Sequence, residues 1–599
     1  MAELSLDFTS LRRAYASGTS PIAVIQMVYA RIAAANDPGI FISLVAEATA
    51  LAQATALGRH DPKKPLWGIP FAIKDNIDLA GLATTASCPE FAYWPQEHAF
   101  AVAQLIAAGA IPIGKTNLDQ FATGLVGVRT PYGAPRNAFD AGMVPGGSSS
   151  GSAIAVARGL VSFALGTDTA GSGRVPAGLN NLVGLKPTLG AISTRGVVPA
   201  CRTLDCVSVF ALTVDDAFEV FSEIARYDSA DAYARRFAPG RIGPLTPAPR
   251  IAIPSAGGRV FGGDSKSEKA FLAAVEDMRA LGADICEIDM APFFETARLL
   301  YQGPWIAERY EAIRAFISTR PETLLDVTRT IIGGAERFSA ADCFAALYRL
   351  AALKRETQAL WRDIDALMVP TYPRPPRVAE LAADPIGPNS ELGVYTNFVN
   401  LLDLCALATP TRFRDDGFPN GVTFLAPAGS DARLASIGAA LQTRCAMPLG
   451  ATGLAFAPPP PRLTVAASGE IELAVVGAHL SGMALNHELT SRGARFLRVG
   501  KTTPDYRLFA LPGGPPRRPG LLRVADGAGY AIDTEVWALT PETFGSFVAS
   551  VPAPLGIGVS RLADGTRPKG FIVESEATHA AEDISRWGGW RAYIASLST

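Results

Sequence analysis

Two Gly/Ser-rich loops on either side of one short apolar segment constrain this chain more than any other feature. They are Pro145-Gly146-Gly147-Ser148-Ser149-Ser150-Gly151-Ser152 and Gly166-Thr167-Asp168-Thr169-Ala170-Gly171-Ser172-Gly173-Arg174. Small residues let backbone N–H groups crowd around a reacting oxygen. A serine preceded by such residues, as Ser172 is, has what a nucleophile needs if its own loop forms the oxyanion hole. A Gly/Ser cluster alone is also the composition of a flexible linker. A phosphate-binding loop is excluded, because no Gly-Lys-Ser/Thr follows. The conjunction of both loops, their spacing and the apolar segment between them favours a built site.

A serine hydroxyl is a weak nucleophile and needs a proton acceptor. The usual acceptor is histidine, but the five histidines (His60, His98, His479, His487 and His579) all lie outside the two loops. Lysine is scarce, and Lys74 is unusual in following Pro70-Phe71-Ala72-Ile73 and preceding Asp75-Asn76. Most strand-end lysines are simply exposed. A buried one would have a lowered pKa and, once neutral, could accept a proton. Asp168 is either an orienting hydrogen-bond acceptor or a plain turn-former.

The loops resemble the amidase signature family, whose pattern is roughly GGSSGGSA, a helix, then GTDTGGS-x-R-x-PA. The resemblance implies a Ser–cisSer–Lys triad, with Ser172 as nucleophile, Ser148 as bridging serine after a cis peptide bond, and Lys74 as base. It also implies oxyanion donors at the N–H groups of Thr169, Ala170, Gly171 and Ser172, each worth roughly 2.7–4 kcal/mol of barrier. Ser150 and Ala170 depart from the pattern, standing where glycines are usual. The version Ala170-Gly171-Ser172-Gly173-Arg174-Val175-Pro176-Ala177 is similar to the allophanate hydrolase branch. So is Tyr301-Gln302-Gly303-Pro304-Trp305-Ile306-Ala307-Glu308-Arg309, where the branch grips a substrate carboxylate with the positions of Tyr301 and Arg309. A guanidinium suits that role, since it binds carboxylates bidentately; read alone, Arg309 is an ordinary helix-face arginine paired with a nearby Glu. Gly124 is expected to add backbone contacts to substrate.

The stiff stretch Ala457-Pro458-Pro459-Pro460-Pro461-Arg462 marks a linker. The expected organisation is a catalytic domain over 1–456, a linker over 457–465 and a C-terminal domain over 466–599. The first reads as α/β, the amidase-signature fold with a central mixed sheet covered by helices, because strand and helix patterns alternate. Within it Ser152 to Leu165, apolar nearly all round, reads as one buried helix. The tail reads as a small β-rich (α+β) domain, with strands near Ile471–Gly477, Phe496–Val499, Leu521–Val524 and Val536–Leu539. It resembles the allophanate hydrolase tail, itself similar to γ-glutamylcyclotransferase-like folds. His479 would then be a base assisting product decarboxylation; read as a bare residue it is a structural histidine at a turn.

An apolar content of 48% with 18% charged residues permits large cores, and a net charge of -2 leaves no footprint for nucleic acid or anionic membrane. Seven scattered cysteines without a C-x-x-C pair suit reduced thiols and a cytoplasmic setting. The opening Met1-Ala2-Glu3-Leu4-Ser5-Leu6-Asp7 carries no basic-then-apolar signal pattern. No metal-binding or dinucleotide motif is visible, so neither metal nor cofactor is expected.

The resemblance implies hydrolysis of allophanate (urea-1-carboxylate) with release of ammonia, by a homodimer with a urea carboxylase as a partner. The alternatives are a general amidase, the amidase subunit of a tRNA-dependent amidotransferase, or a non-catalytic assembly partner of a urea carboxylase.

Overall fold

The computed structural model describes residues 4–597; Met1-Ala2-Glu3 of the opening heptapeptide lies outside the described residues. The chain builds one large sheet and then two small ones. The large sheet has eleven strands: β1 (Phe41–Leu44), β2 (Pro70–Lys74), β3 (Ile111–Thr116), β4 (Phe163–Thr167), β5 (Val183–Lys186), β6 (Val207–Ala211), β7 (Arg250–Pro254), β8 (Asp284–Ile288), β9 (Ala366–Pro370), β10 (Leu404–Pro410) and β11 (Gly421–Pro427). Their order is β1-β3-β2-β4-β6-β5-β10-β11-β9-β7-β8. The sheet is mixed: β2 runs parallel to both β3 and β4, whereas β4–β6, β6–β5, β5–β10, β10–β11 and β11–β9 are antiparallel.

The central strands are continuous apolar runs because both faces are covered. Every residue of β2 to β6 is buried. The helices that cover them carry ordinary start signals. Pro21–Ala35 opens with Pro21, and Ser20 accepts a hydrogen bond from the N–H of Ala23. Ser265–Ala280 starts after Asp264, which accepts from the N–H groups of Lys266 and Ser267.

The expected single helix over 152–165 is corrected. The helix spans Ser150–Ala157, and Phe163–Thr167 is strand β4. Arg158 closes the helix and Gly159, at φ +62°, turns the chain out of it. Helix and strand are both buried all round, so apolar content carries no period that could separate them.

The tail forms a five-stranded sheet and a three-stranded one. Its strands are β12 (Ile471–Val475), β13 (Arg495–Lys501), β14 (Tyr506–Ala510), β15 (Pro519–Arg523), β16 (Asp533–Leu539), β17 (Leu555–Val559), β18 (Lys569–Val573) and β19 (Glu582–Asp583). The larger sheet has the order β13-β16-β12-β18-β17 and the smaller β15-β14-β19. Leu473, Val475, Tyr506, Leu508, Trp537 and Trp590 fill a core of their own. The proline stretch before it forms neither helix nor strand, and Arg462 pairs with Asp215, its second nitrogen 3.0 Å from Oδ2. Among the described residues no helix is long and apolar enough to cross a membrane.

Candidate active site

The site gathers at the carboxyl ends of the parallel strands β2, β3 and β4. Lys74 is the last residue of β2 and Thr167 the last of β4. The second serine loop follows β4 directly, and the first leads into helix Ser150–Ala157. Lys74 Nζ lies 2.7 Å from Ser148 Oγ and 2.8 Å from Thr167 Oγ1. The peptide bond between Gly147 and Ser148 is cis. Lys74 is completely buried. Burial lowers its pKa to about 7; Asp119, Asp168 and Asp205 pull the other way, and Arg309 adds to the lowering. The amine can therefore lose its proton near neutral pH and accept one from Ser148.

The Ser172 loop is held by a buried ion pair. Asp168 accepts from Arg174 Nε and Nη2, each at 2.8 Å, and from the N–H groups of Gly171 and Gly173 at 2.9 and 3.0 Å. Burial opposes ionisation of Asp168, but Arg174, Lys186 and the Gly173 N–H together hold its carboxyl below the ordinary value. Asp168 thus orients the loop rather than merely turning it. Gly171 sits at φ +136°, and a Cβ there would come within 2.4 Å of Thr396 Oγ1, so glycine is required on both counts. Ala170 is not among the residues with positive φ, which is why alanine serves where glycine is usual. Ser150 fits at the head of its helix, its hydroxyl 3.5 Å from the Asn117 carbonyl.

The Ser172 loop has two further features. The Gly171 N–H is already committed to Asp168, which leaves Thr169, Ala170 and Ser172 as the loop N–H groups with no acceptor among the described residues. The Ser172 hydroxyl has no hydrogen-bond partner among the described residues, so the resting relay stops at Ser148. Catalytic hydrogen bonds are commonly loose before substrate arrives.

Tyr301 lies in the last turn of helix Ala291–Gln302, and Arg309 lies on helix Trp305–Ala312. The fold brings them together: Arg309 Nη2 donates to the Tyr301 hydroxyl at 3.1 Å. Arg309 Nη1 reaches the Ala122 carbonyl at 3.3 Å and Thr123 Oγ1 at 3.4 Å. Arg309 is only 2% exposed, its Nε has no partner, and no carboxylate pairs with it among the described residues. Burial raises the Tyr301 pKa despite Arg309, so its phenol keeps its proton as a donor. Gly124 lies one residue beyond Thr123; a Cβ there would come within 2.6 Å of Asp119 Oδ2.

His479 lies far along the chain, in the turn after β12. Its Nε2 is 3.0 Å from Glu488 Oε2, and its ring stacks on Phe571 and meets Phe547 edge-on, both at 5.1 Å. Its hydrogen bond to Glu488 pulls that carboxyl below its usual range.

A family model described as Amidase matches residues 23–435, and one described as Allophanate hydrolase C-terminal domain matches residues 471–595. The chain belongs to the amidase signature family. Within this hydrolase family it is 42% identical to an allophanate hydrolase of Kluyveromyces lactis, covering 98% of both chains with a TM-score of 0.75. It is 45% identical to the urea amidolyase of Saccharomyces cerevisiae over 93% of its own length but 31% of that relative's, so it spans about a third of that relative. A glutamyl-tRNA(Gln) amidotransferase chain of Thermus thermophilus is 34% identical over 69% of this chain and 92% of that one.

Several residues of this amidase site were not singled out from sequence. Thr167 is a second acceptor for Lys74, and Asp205 accepts from Thr169 Oγ1 at 2.5 Å and from the Ala200 and Cys201 N–H groups. Asp119 accepts from the Gly127 and Arg129 N–H groups, and its own N–H donates to the Ser148 carbonyl at 3.0 Å. Thr167 stood inside a quoted motif and could have been read from it. Asp119 and Asp205 lie in unremarkable segments, with no local signal to mark them.

Proposed function

We propose that this chain hydrolyses allophanate through an acyl-enzyme. Ser172 Oγ attacks the terminal amide carbonyl carbon while its proton passes by way of Ser148 Oγ to neutral Lys74 Nζ. The tetrahedral oxyanion is met by the free loop N–H groups of Thr169, Ala170 and Ser172. Collapse breaks the C–N bond, and the proton returns through Ser148 to the leaving nitrogen, which departs as ammonia. Water then attacks the acyl-enzyme by the same relay and regenerates the Ser172 hydroxyl. The released N-carboxycarbamate goes on to carbon dioxide and a second ammonia.

The observation that carries this reading is Arg309. A buried guanidinium with a free Nε, no carboxylate partner and a neutral phenol beside it is a site arranged for an anion. Tyr301 and Arg309 would bind the substrate carboxylate, and Gly124 would line the same pocket. The likeness along nearly the whole chain to an allophanate hydrolase supports the same substrate. The match of residues 471–595 to an allophanate hydrolase C-terminal domain supports this reading over a general amidase or the amidase subunit of a tRNA-dependent amidotransferase.

In this reading residues 1–456 form the catalytic domain, 457–465 the linker and 466–599 a domain that serves the product or holds the assembly. The chain works in the cytoplasm, as a homodimer, beside a urea carboxylase that supplies its substrate. The test is ammonia release by the purified chain from allophanate and from biuret, its neutral analogue. A clear preference for allophanate that is lost in Arg309→Ala is expected; equal use of both amides by the parent would overturn the assignment.

A further inference from the structure

Tyr301 has a second side. Behind it lies a cavity of about 580 Å³, whose wall includes Leu125, Tyr301 and Asn397. Each ties the cavity to the candidate site. Leu125 follows Gly124, and its N–H donates to Asn389 Oδ1 at 2.7 Å. Tyr301 accepts the hydrogen bond from Arg309. Asn397 follows Thr396, the residue against which Gly171 is packed. The volume lies within the usual range for a small-molecule site, about 300–1,000 Å³.

The charge on this wall is of one sign. Its only charged residues are Arg298 and Arg337, and among the described residues neither pairs with a carboxylate. The acid nearest Arg298 along its helix, Glu295, is bound by Arg349, one nitrogen lying 2.6 Å from Oε2. Unpaired cations at the mouth of a cleft with low-dielectric walls focus the field into it and raise the local concentration of anions.

We propose that this cavity is the entry vestibule for the substrate, a small carboxylate anion that Arg298 and Arg337 attract and that passes beside Tyr301 to Arg309. This inference rests on the anionic substrate proposed above. The two outer arginines hold no defined pose; they act at a distance, on the rate of capture. Arg309 acts at contact, on retention. The Tyr301 phenol, which keeps its proton, donates to the carboxylate as it passes. A neutral amide gains nothing from the outer pair, so the vestibule adds a preference for anions before any bond to Arg309 is made.

The experiment compares the full chain with Arg298→Gln/Arg337→Gln and with Ala297→Trp, which would fill the cavity. At low ionic strength the double variant should lose about 5- to 10-fold in kcat/KM for allophanate, at the lower end of electrostatic steering, with kcat and biuret turnover unchanged. Added salt should narrow the gap by screening. Ala297→Trp should depress kcat/KM for both amides, with no change in their ratio. Identical salt dependence in parent and double variant, or full activity of Ala297→Trp, would overturn the vestibule. Malonate as an inhibitor of biuret hydrolysis separates this failure from failure of the functional reading. Malonate that inhibits the parent more strongly than the double variant supports the vestibule, whichever amide is the natural substrate. Equal inhibition of both overturns the vestibule alone. No inhibition of the parent overturns the carboxylate reading at Arg309, and the vestibule with it.

Discussion

The surroundings of Lys74 and of His479 show two ways of holding a base. Lys74 is fully buried at a strand end in the middle of an eleven-stranded sheet, between two hydroxyls and within the field of three aspartates. His479 sits in a turn between two phenylalanine rings, with one carboxylate partner. Burial outweighs the pull of the three aspartates and lowers the proton affinity of Lys74 toward neutral pH. A single carboxylate and two aromatic rings fix the orientation of the His479 imidazole. The first arrangement costs stability and fits the base of the proposed reaction; the second is also what a structural histidine looks like.

The largest expected effect tests the Lys74 side of this contrast. Ser172→Ala should abolish acyl-enzyme formation and cost about 10⁴- to 10⁶-fold in kcat, and Lys74→Met on the order of 10²- to 10⁴-fold. Near-normal ammonia release from Ser172→Ala would remove the reason for burying Lys74 at all. Arg309→Ala should come next, raising KM for allophanate about 10- to 100-fold, since charged hydrogen bonds contribute roughly 1.5–3 kcal/mol. Biuret should suffer less; equal losses on both amides would make Arg309 a structural residue.

A pH profile sharpens the contrast further. The neutral amine is the competent form of Lys74, and its pKa is lowered to about 7. Activity should therefore rise with pH through about 7 and level off above it, the acid limb belonging to free enzyme in kcat/KM. A limb near the ordinary lysine value would show that burial does not tune this amine. The smallest effect is expected in the tail. Ending the chain at residue 456, or making His479→Ala, should leave ammonia release from allophanate within about 2-fold, as for groups outside the reacting site. Following carbon dioxide separately then decides between the two readings of His479: slowed decarboxylation makes it a base, and unchanged decarboxylation leaves the tail a scaffold.

The two regions were also unequally legible in sequence. Ser148 and Ser172 are marked by their loops, because an oxyanion hole made of backbone demands small residues in one unbroken stretch. The mixed, helix-covered sheet was readable from the alternation of strand and helix patterns. The border between helix Ser150–Ala157 and β4 was not, since a segment buried on every side loses the period that tells helix from strand. Asp119 and Asp205 escaped for a different reason. Each works by accepting N–H groups from loops that the fold brings back upon it, and no residue spacing encodes that. The burial of Arg309 was equally invisible: eight residues after Tyr301, it reads as an ordinary helix-face arginine until Ala122 and Thr123 close over it.

The nucleophile loop has one more dependence, on chain that is made much later. Asn400 Nδ2 donates to the Asp168 carbonyl at 2.8 Å, Arg174 reaches the Thr396 carbonyl at 3.2 Å, and β5 pairs with β10. Lys74, Ser148 and Ser172 are all made by Arg174, yet the pieces that lock their loop arrive more than two hundred positions on. Contacts so distant in sequence form late, and a growing chain waits for them. The nascent polypeptide therefore carries Ser172, Ser148 and Lys74 before their surroundings are fixed, and the loop takes its final form only once the segment around Thr396 and Asn400 has been made.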